Sequence, residues 1–157
     1  MQKYFYAYEF PIGRVYIAES DGAVTDVSFS HVVGAEEKET PLVRRAAKML
    51  TEYFEGKRMG FEGLPLRAAG TAFQEKAWGA LLDIPYGQTR SYKEQAAAIG
   101  NEKACRAVGA ANGKNPISII IPCHRVVGSD SSLTGYGGGL GIKKALLELE
   151  REFAGDQ

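Results

Sequence analysis

The chain has 157 residues, 45% apolar and 24% charged. That suits one compact unit or two small lobes whose core needs no disulfide staples. Its 19 basic and 19 acidic residues cancel, which argues against tight, indiscriminate binding to nucleic acid. Two cysteines, Cys105 and Cys123, exclude a disulfide framework and point to a reducing, intracellular setting.

The first residues show no basic segment leading into an apolar one, so no secretion leader is expected. No apolar run approaches the roughly 20 residues that span a bilayer, so no membrane partner is expected. Residues 3–9, KYFYAYE, alternate loosely as a strand does. Residues 12–19 and 23–29 are apolar and β-branched, and Ser20-Asp21-Gly22 between them is a hairpin signal. The period then changes. Leu42, Ala46, Met49, Leu50, Tyr53 and Phe54 share one face of a helix over 41–55, with Pro41 in its first turn and Gly56 as its stop. The segment 56–70, rich in Gly and basic residues, marks a boundary between lobes at 1–67 and 70–157.

From Thr71 onward the pattern is helical. Thr71 caps a helix that runs to Ile84, before the turn Pro85-Tyr86-Gly87. Ser91 followed three residues later by Glu94 is a capping box, and it opens a short helix that Gly100 stops. A second helix is read over 101–113, which gives the outline of a helix-turn-helix. Residues 117–122, ISIIIP, read as a strand leading to Cys123, and a last helix starts near Ile142. Residues 86–125 carry six basic side chains against two acidic ones. No internal repeat and no low-complexity segment is present.

One Cys and one His stand side by side at Cys123-His124, between Pro122 and a glycine-rich run. The chain lacks the Cys-x-x-Cys spacing and the ligand supply of a closed zinc site, so no metal is expected. Two readings of Cys123 stay open on residue chemistry. It is a buried structural thiol, or a nucleophile whose proton a histidine takes while a carboxylate orients that histidine. Side chains adjacent along a strand point apart, so the second reading needs a sharp turn or a bridging water.

IPCHRVV, TGYGGGLGIKKALLELE, GTAFQEKAWGALLDIPYGQTRSYKEQAAAIG and ACRAVGAANGKNP together resemble the O6-alkylguanine-DNA alkyltransferases, and YFEGKRMGFEGLPL resembles that family's first lobe. The resemblance implies an α/β first lobe with a ribonuclease-H-like small sheet, then a mainly helical, winged-helix-like lobe carrying the chemistry. It implies irreversible, single-turnover transfer of an alkyl group from O6 of guanine, with O4 of thymine as a second candidate, to Cys123. His124 would reach the thiol through a water, and Glu150 would bond the histidine. Asn115 would tie the turn before the cysteine, and Tyr92 would donate toward the purine. Val126, Tyr136 and Gly137 would line the base pocket. Arg106 would enter the stack vacated by a flipped nucleotide, and Lys93 and Ser129 would contact phosphates. The small residues Ala104, Ala107, Gly109, Ala110 and Ala111 would let the Arg106 helix approach a narrow groove.

The implied partner is double-stranded DNA containing O6-alkylguanine, met by a cytoplasmic monomer without cofactor. Some relatives carry zinc in the first lobe; this chain has no cysteine before Cys105, so none is expected. Gly137 is a serine in some relatives, which leads us to expect tolerance of benzyl-sized groups. The competing readings are a binder of alkylated DNA that recruits other factors, a cysteine hydrolase and a thiol-redox protein.

Overall fold

The computed structural model describes residues 2–130, 132–133, 135–136 and 138–155. Contacts divide the chain into two compact units: Met1–Ala69 with Pro116–Ile120, and Gly70–Asn115 with Ile121–Gln157.

The first unit is a four-stranded sheet in the order β3-β2-β1-β4. β1 (Lys3–Phe10) and β2 (Gly13–Ser20) are antiparallel, as are β2 and β3 (Ala23–Ser28), while β4 (Glu36–Glu37) runs parallel to β1. Asp21 and Gly22 both have positive φ, 53° and 79°. That is the backbone of the tight hairpin turn whose twist matches the strands it joins. α1 (Pro41–Phe54) starts at Thr40, whose side chain accepts from the Val43 N–H. Its buried stripe includes Val43 and Ala47 as well as the expected residues, and Leu42 lies at the margin. Phe54 stacks on Phe10 with centroids 5.3 Å apart, so α1 covers the face that carries Tyr6, Tyr8 and Phe10. Val15, Ile17, Val27 and Leu50 are fully buried in this unit, each worth about 1.5–3 kcal/mol over an exposed position.

Residues 116–120 join this sheet. The Val27 N–H donates to the Pro116 carbonyl at 2.9 Å, and the Ser118 N–H donates to the Val27 carbonyl at 2.9 Å. The strand expected over 117–122 does not form: Ile117 makes a single bridge to Val27, and the backbone then turns. The Ile120 N–H donates back to the Ser118 carbonyl at 2.8 Å across Ile119, whose φ is +72°. This is the rare left-handed three-residue turn, and a β-branched residue is strained in it.

The second unit is helical. α2 (Ala72–Leu81) opens with a capping box between Thr71 and Gln74 and ends three residues earlier than expected. Leu82–Ile84 instead form a tighter turn, with the Ile84 N–H donating to the Leu81 carbonyl at 3.1 Å. β5 (Arg90–Ser91) precedes α3 (Tyr92–Ala98), whose Ser91–Glu94 capping box is present as read. α4 (Cys105–Gly113) starts later than expected, because Asn101–Ala104 make a turn closed from the Ala104 N–H to the Asn101 carbonyl.

Gln95 and Asn112 exchange side-chain bonds of 2.9 and 2.8 Å and lock α3 to α4. The Trp78 Nε1–H donates to the Ala111 carbonyl at 2.8 Å and holds α2 against α4. A 3-10 turn, Cys123–Arg125, leads into β6 (Val126–Val127), which pairs parallel to β5. α5 (Leu140–Ala154) closes the unit, starting two residues before the expected Ile142. No helix among the described residues is long and apolar enough to cross a membrane.

Candidate active site

The chain enters the site through two bonds on one carbonyl. The Ile121 carbonyl accepts the Cys123 N–H at 2.8 Å and Asn115 Nδ2–H at 2.8 Å. Pro122 between them has φ −82° and ψ 65°, the inverse three-residue turn. Proline suits it, because its ring fixes φ and the turn asks no N–H of it. Cys123 follows as the first residue of the 3-10 turn. The difficulty that adjacent side chains diverge along a strand therefore disappears: Cys123 and His124 sit on a tight turn.

Cys123 is 7% exposed and His124 is fully buried. Burial pushes the Cys123 thiol up, while a hydrogen bond from the Asn115 side chain and the Lys143 charge pull it down without cancelling the rise. The resting group is a thiol, and it must lose its proton before it attacks anything. His124 Nε2 lies 2.6 Å from Glu150 Oε2. An ionised carboxylate only accepts, so Nε2 carries the hydrogen and Nδ1 holds the lone pair. Nδ1 is buried and has no hydrogen-bond partner among the described residues. Burial lowers the imidazole pKa against the opposing pull of Glu150, so His124 rests neutral. The arrangement is a thiol, a neutral base and a carboxylate that orients the base.

Glu150 also receives Arg125. Nε donates to Oε1 at 2.8 Å and Nη2 to Oε2 at 3.0 Å, while Nη1 donates to the Ile84 carbonyl at 2.7 Å. Burial would raise the Glu150 carboxyl; His124 and Arg125 outweigh it and hold it down at about 2. Lys143 is fully buried on the same face of α5, one turn and then another before Glu150, with Nζ 5.9 Å from the Tyr92 ring centroid. Burial lowers its pKa, and the nearby Cys123 opposes that. Neither Arg125 nor Lys143 was singled out from sequence. The available signals were a basic residue inside the buried run 117–127, and a lysine on the helical stripe Lys143-Leu146-Leu147-Glu150.

Tyr92 is half-buried at the first position of α3, Val126 is fully buried on β6, and Tyr136 is half-buried ahead of α5. Gly137 lies outside the described residues.

The model of the 6-O-methylguanine DNA methyltransferase DNA binding domain matches residues 72–152, and that of the ribonuclease-like domain of the same methyltransferase matches residues 3–68. A methylated-DNA–protein-cysteine methyltransferase of Methanosarcina barkeri is 47% identical over 155 residues, covering 94% of this chain and 96% of its own. The chain belongs to the 6-O-methylguanine DNA methyltransferase family. Among solved structures, the Mycobacterium tuberculosis O6-methylguanine methyltransferase superposes with a TM-score of 0.90 at 40% identity, covering 99% of this chain and 97% of that one. The Mycobacterium tuberculosis OGT in complex with DNA superposes with a TM-score of 0.88 at 43% identity, covering 96% of this chain and 94% of that one.

The methyltransferase fold expected from the sequence, a small sheet unit followed by a helical DNA-binding unit, is the fold observed. Within the DNA-binding domain, Arg106 is exposed on α4 and Lys93 on α3, while Ser129 is exposed on the turn after β6. Of the small residues read as a groove-facing set, Ala104 and Ala111 are instead buried. They pack inside the domain because α4 turns those positions toward α2 and α3, and only Ala107 and Ala110 share the exposed face of Arg106. Gly109 faces the Tyr92 ring, where a Cβ would meet Cε1 at 3.7 Å. Among the described residues no group of three or more His, Cys, Asp and Glu side chains is placed to hold a metal ion.

Proposed function

We propose that this protein repairs double-stranded DNA by moving the alkyl group of O6-alkylguanine, with O4-alkylthymine as a second candidate substrate, onto Sγ of Cys123, once per molecule. The observation that carries this is the thiol on a tight turn beside a neutral, carboxylate-oriented His124. The thiol proton passes through a water to His124 Nδ1. The sulfur then bonds to the alkyl carbon, and the carbon–O6 pair returns to the purine. The dealkylated guanine ends with one proton more than the alkylated base, which balances the proton the thiol gave up. The thioether is inert and nothing in the chain reverses it, so turnover stops after one event.

In this reading Tyr92 donates to the departing purine, and Asn115 fixes the turn. The Val126 carbonyl accepts from the exocyclic amine. Tyr136 walls the pocket, with the Gly137 N–H stabilising charge at O6. The presence of glycine at 137 supports acceptance of benzyl-sized groups. A nucleotide flipped from the duplex costs a few kcal/mol. Arg106, exposed on α4, fills its place, while Lys93 and Ser129 hold phosphates. Few basic contacts give modest, sequence-independent affinity, which suits a monomer searching an intracellular genome.

The test is the intact mass of wild type and Cys123→Ser after incubation with a duplex containing O6-methylguanine. A single methyl on wild type, mapped to Cys123 and absent from the variant, supports the transfer. An unchanged mass with the duplex still bound indicates a binder that recruits other factors.

A further inference from the structure

We propose that Arg125 is a positioning residue for this transfer: its fork on Glu150 supplies the charge that keeps the carboxylate ionised, leaving His124 neutral with Nδ1 open to the thiol proton. The inference rests on the alkyl-transfer reading and adds a fourth member to the constellation.

The geometry makes the case. Glu150 is fully buried, and its two oxygens take donors from His124, from Arg125 and, at 3.5 Å, from the Gly87 N–H. Oε2 takes His124 Nε2 at 2.6 Å and Arg125 Nη2 at 3.0 Å, and Oε1 takes Arg125 Nε at 2.8 Å. A buried carboxylate needs a compensating cation, or it takes up a proton. Of these donors, the guanidinium and the imidazole are the two that can carry a positive charge. A neutral imidazole lends no net charge, so at rest the compensation comes from the guanidinium.

The guanidinium is itself held from a separate stretch of chain. The Ile84 carbonyl accepts Nη1–H at 2.7 Å, and the Tyr86 ring lies under it with 5.6 Å from ring centroid to guanidinium carbon. Gly87 closes this turn at φ +81°, where a Cβ would strike Ala154 Cβ at 2.7 Å. The motif Ile84-Pro85-Tyr86-Gly87 thus acquires a purpose that the sequence did not show: it seats the arginine.

Among the described residues, the charged and titratable groups facing His124 are Cys123 and Arg125 on its own turn and Glu150 and Lys143 on α5; Tyr86 adds its phenol beside Glu150. Remove the guanidinium, and the carboxylate keeps the His124 imidazole and the Gly87 N–H at 3.5 Å, of which only the imidazole can take on a charge. The imidazole then takes up a proton at rest to supply the missing charge, Nδ1 becomes N–H, and the base is lost. A lysine at 125 keeps the charge but forfeits the second bond of the fork.

The experiment is the pH dependence of methyl transfer from an O6-methylguanine duplex by wild type, Arg125→Met and Arg125→Lys, with His124 followed by nitrogen-15 NMR in wild type. In Arg125→Met the acid limb of the rate profile is expected to move up by about one pH unit or more, a loss of about tenfold at a fixed pH on that limb. Arg125→Lys is expected to keep the wild-type limb at a lower rate. An Arg125→Met protein that is folded and slow but has an unmoved limb would overturn the proposal, because a purely structural role lowers the rate at every pH alike. If that variant does not fold, the wild-type spectrum decides. A neutral Nε2–H tautomer at pH 7 supports the proposal, and an imidazolium overturns it. Wild type that transfers no methyl refutes the alkyl-transfer reading, while the spectrum still judges the role of Arg125.

Discussion

The side-chain amide of Asn115 and the backbone N–H of Cys123 meet on one acceptor, the Ile121 carbonyl, each at 2.8 Å. Asn115 therefore fixes the turn that delivers the thiol, and its contact with the thiol also counters the effect of burial. Asn115→Ala is expected to cost about 1–3 kcal/mol of stability and to slow transfer in the folded fraction, since the thiol loses both its fixed position and a group that lowers its pKa. Urea unfolding and single-turnover rates of the same preparation check the two effects. A variant that is destabilised but transfers at the wild-type rate would confine Asn115 to a structural role.

Ile119 sets backbone strain against packing. Its φ of +72° is costly for a β-branched residue, on the order of 1–3 kcal/mol. Its side chain is 1% exposed, and deleting a buried isoleucine costs about 2–5 kcal/mol. Packing is the larger of the two, so Ile119→Gly is expected to lower stability even though it frees the backbone. Thermal unfolding of Ile119→Gly beside Ile119→Val measures this. A glycine variant more stable than wild type would reverse the ranking.

Acid should weaken the fold in two windows. His124 binds a proton less readily when folded than at its ordinary 6.5, so the unfolded chain gains protons first as pH falls. The stability contribution is full above about 6.5 and is lost progressively toward the depressed folded value. Glu150 has the same sign, with a window from 4.5 down to about 2. Chemical unfolding from pH 8 to pH 3 should show stability declining through both. His124→Gln should flatten the upper window, and an undiminished slope there would assign the protons elsewhere.

Arg106 stands exposed on α4 within the family's DNA-binding domain. Under the proposed role of Arg106 in filling the stack that a flipped base vacates, Arg106→Ala is expected to weaken binding across unrelated duplex sequences and to slow methyl transfer more than it weakens binding. Under the proposed role of Lys93 as a phosphate contact, Lys93→Ala should lower the slope of log affinity against log salt by about one. Titrations at several salt concentrations, paired with transfer rates, separate the two. Equal salt slopes in wild type and Lys93→Ala would remove Lys93 from the phosphate contacts.

Local rules recovered what short-range chemistry decides. The Asp21-Gly22 turn, the Thr71 and Ser91 caps and the α1 stripe each depend on residues within a few positions of one another, so they are legible in a one-dimensional string. Residue chemistry marked Cys123 and His124, the family resemblance added Glu150, and in the fold Glu150 Oε2 lies 2.6 Å from His124 Nε2. Only the tertiary structure decided the rest. Residues 117–122 have the composition of a strand, yet Ile117 makes an isolated bridge to Val27 and the backbone reverses at Ile119, because pairing depends on a partner that sequence does not name. In the sequence Arg125 is one of six basic side chains over residues 86–125; in the fold Glu150 and the Ile84 carbonyl come to it from 25 and 41 positions away. A charge is stable inside a protein only where another part of the chain supplies its partner, and that partner is fixed by the fold.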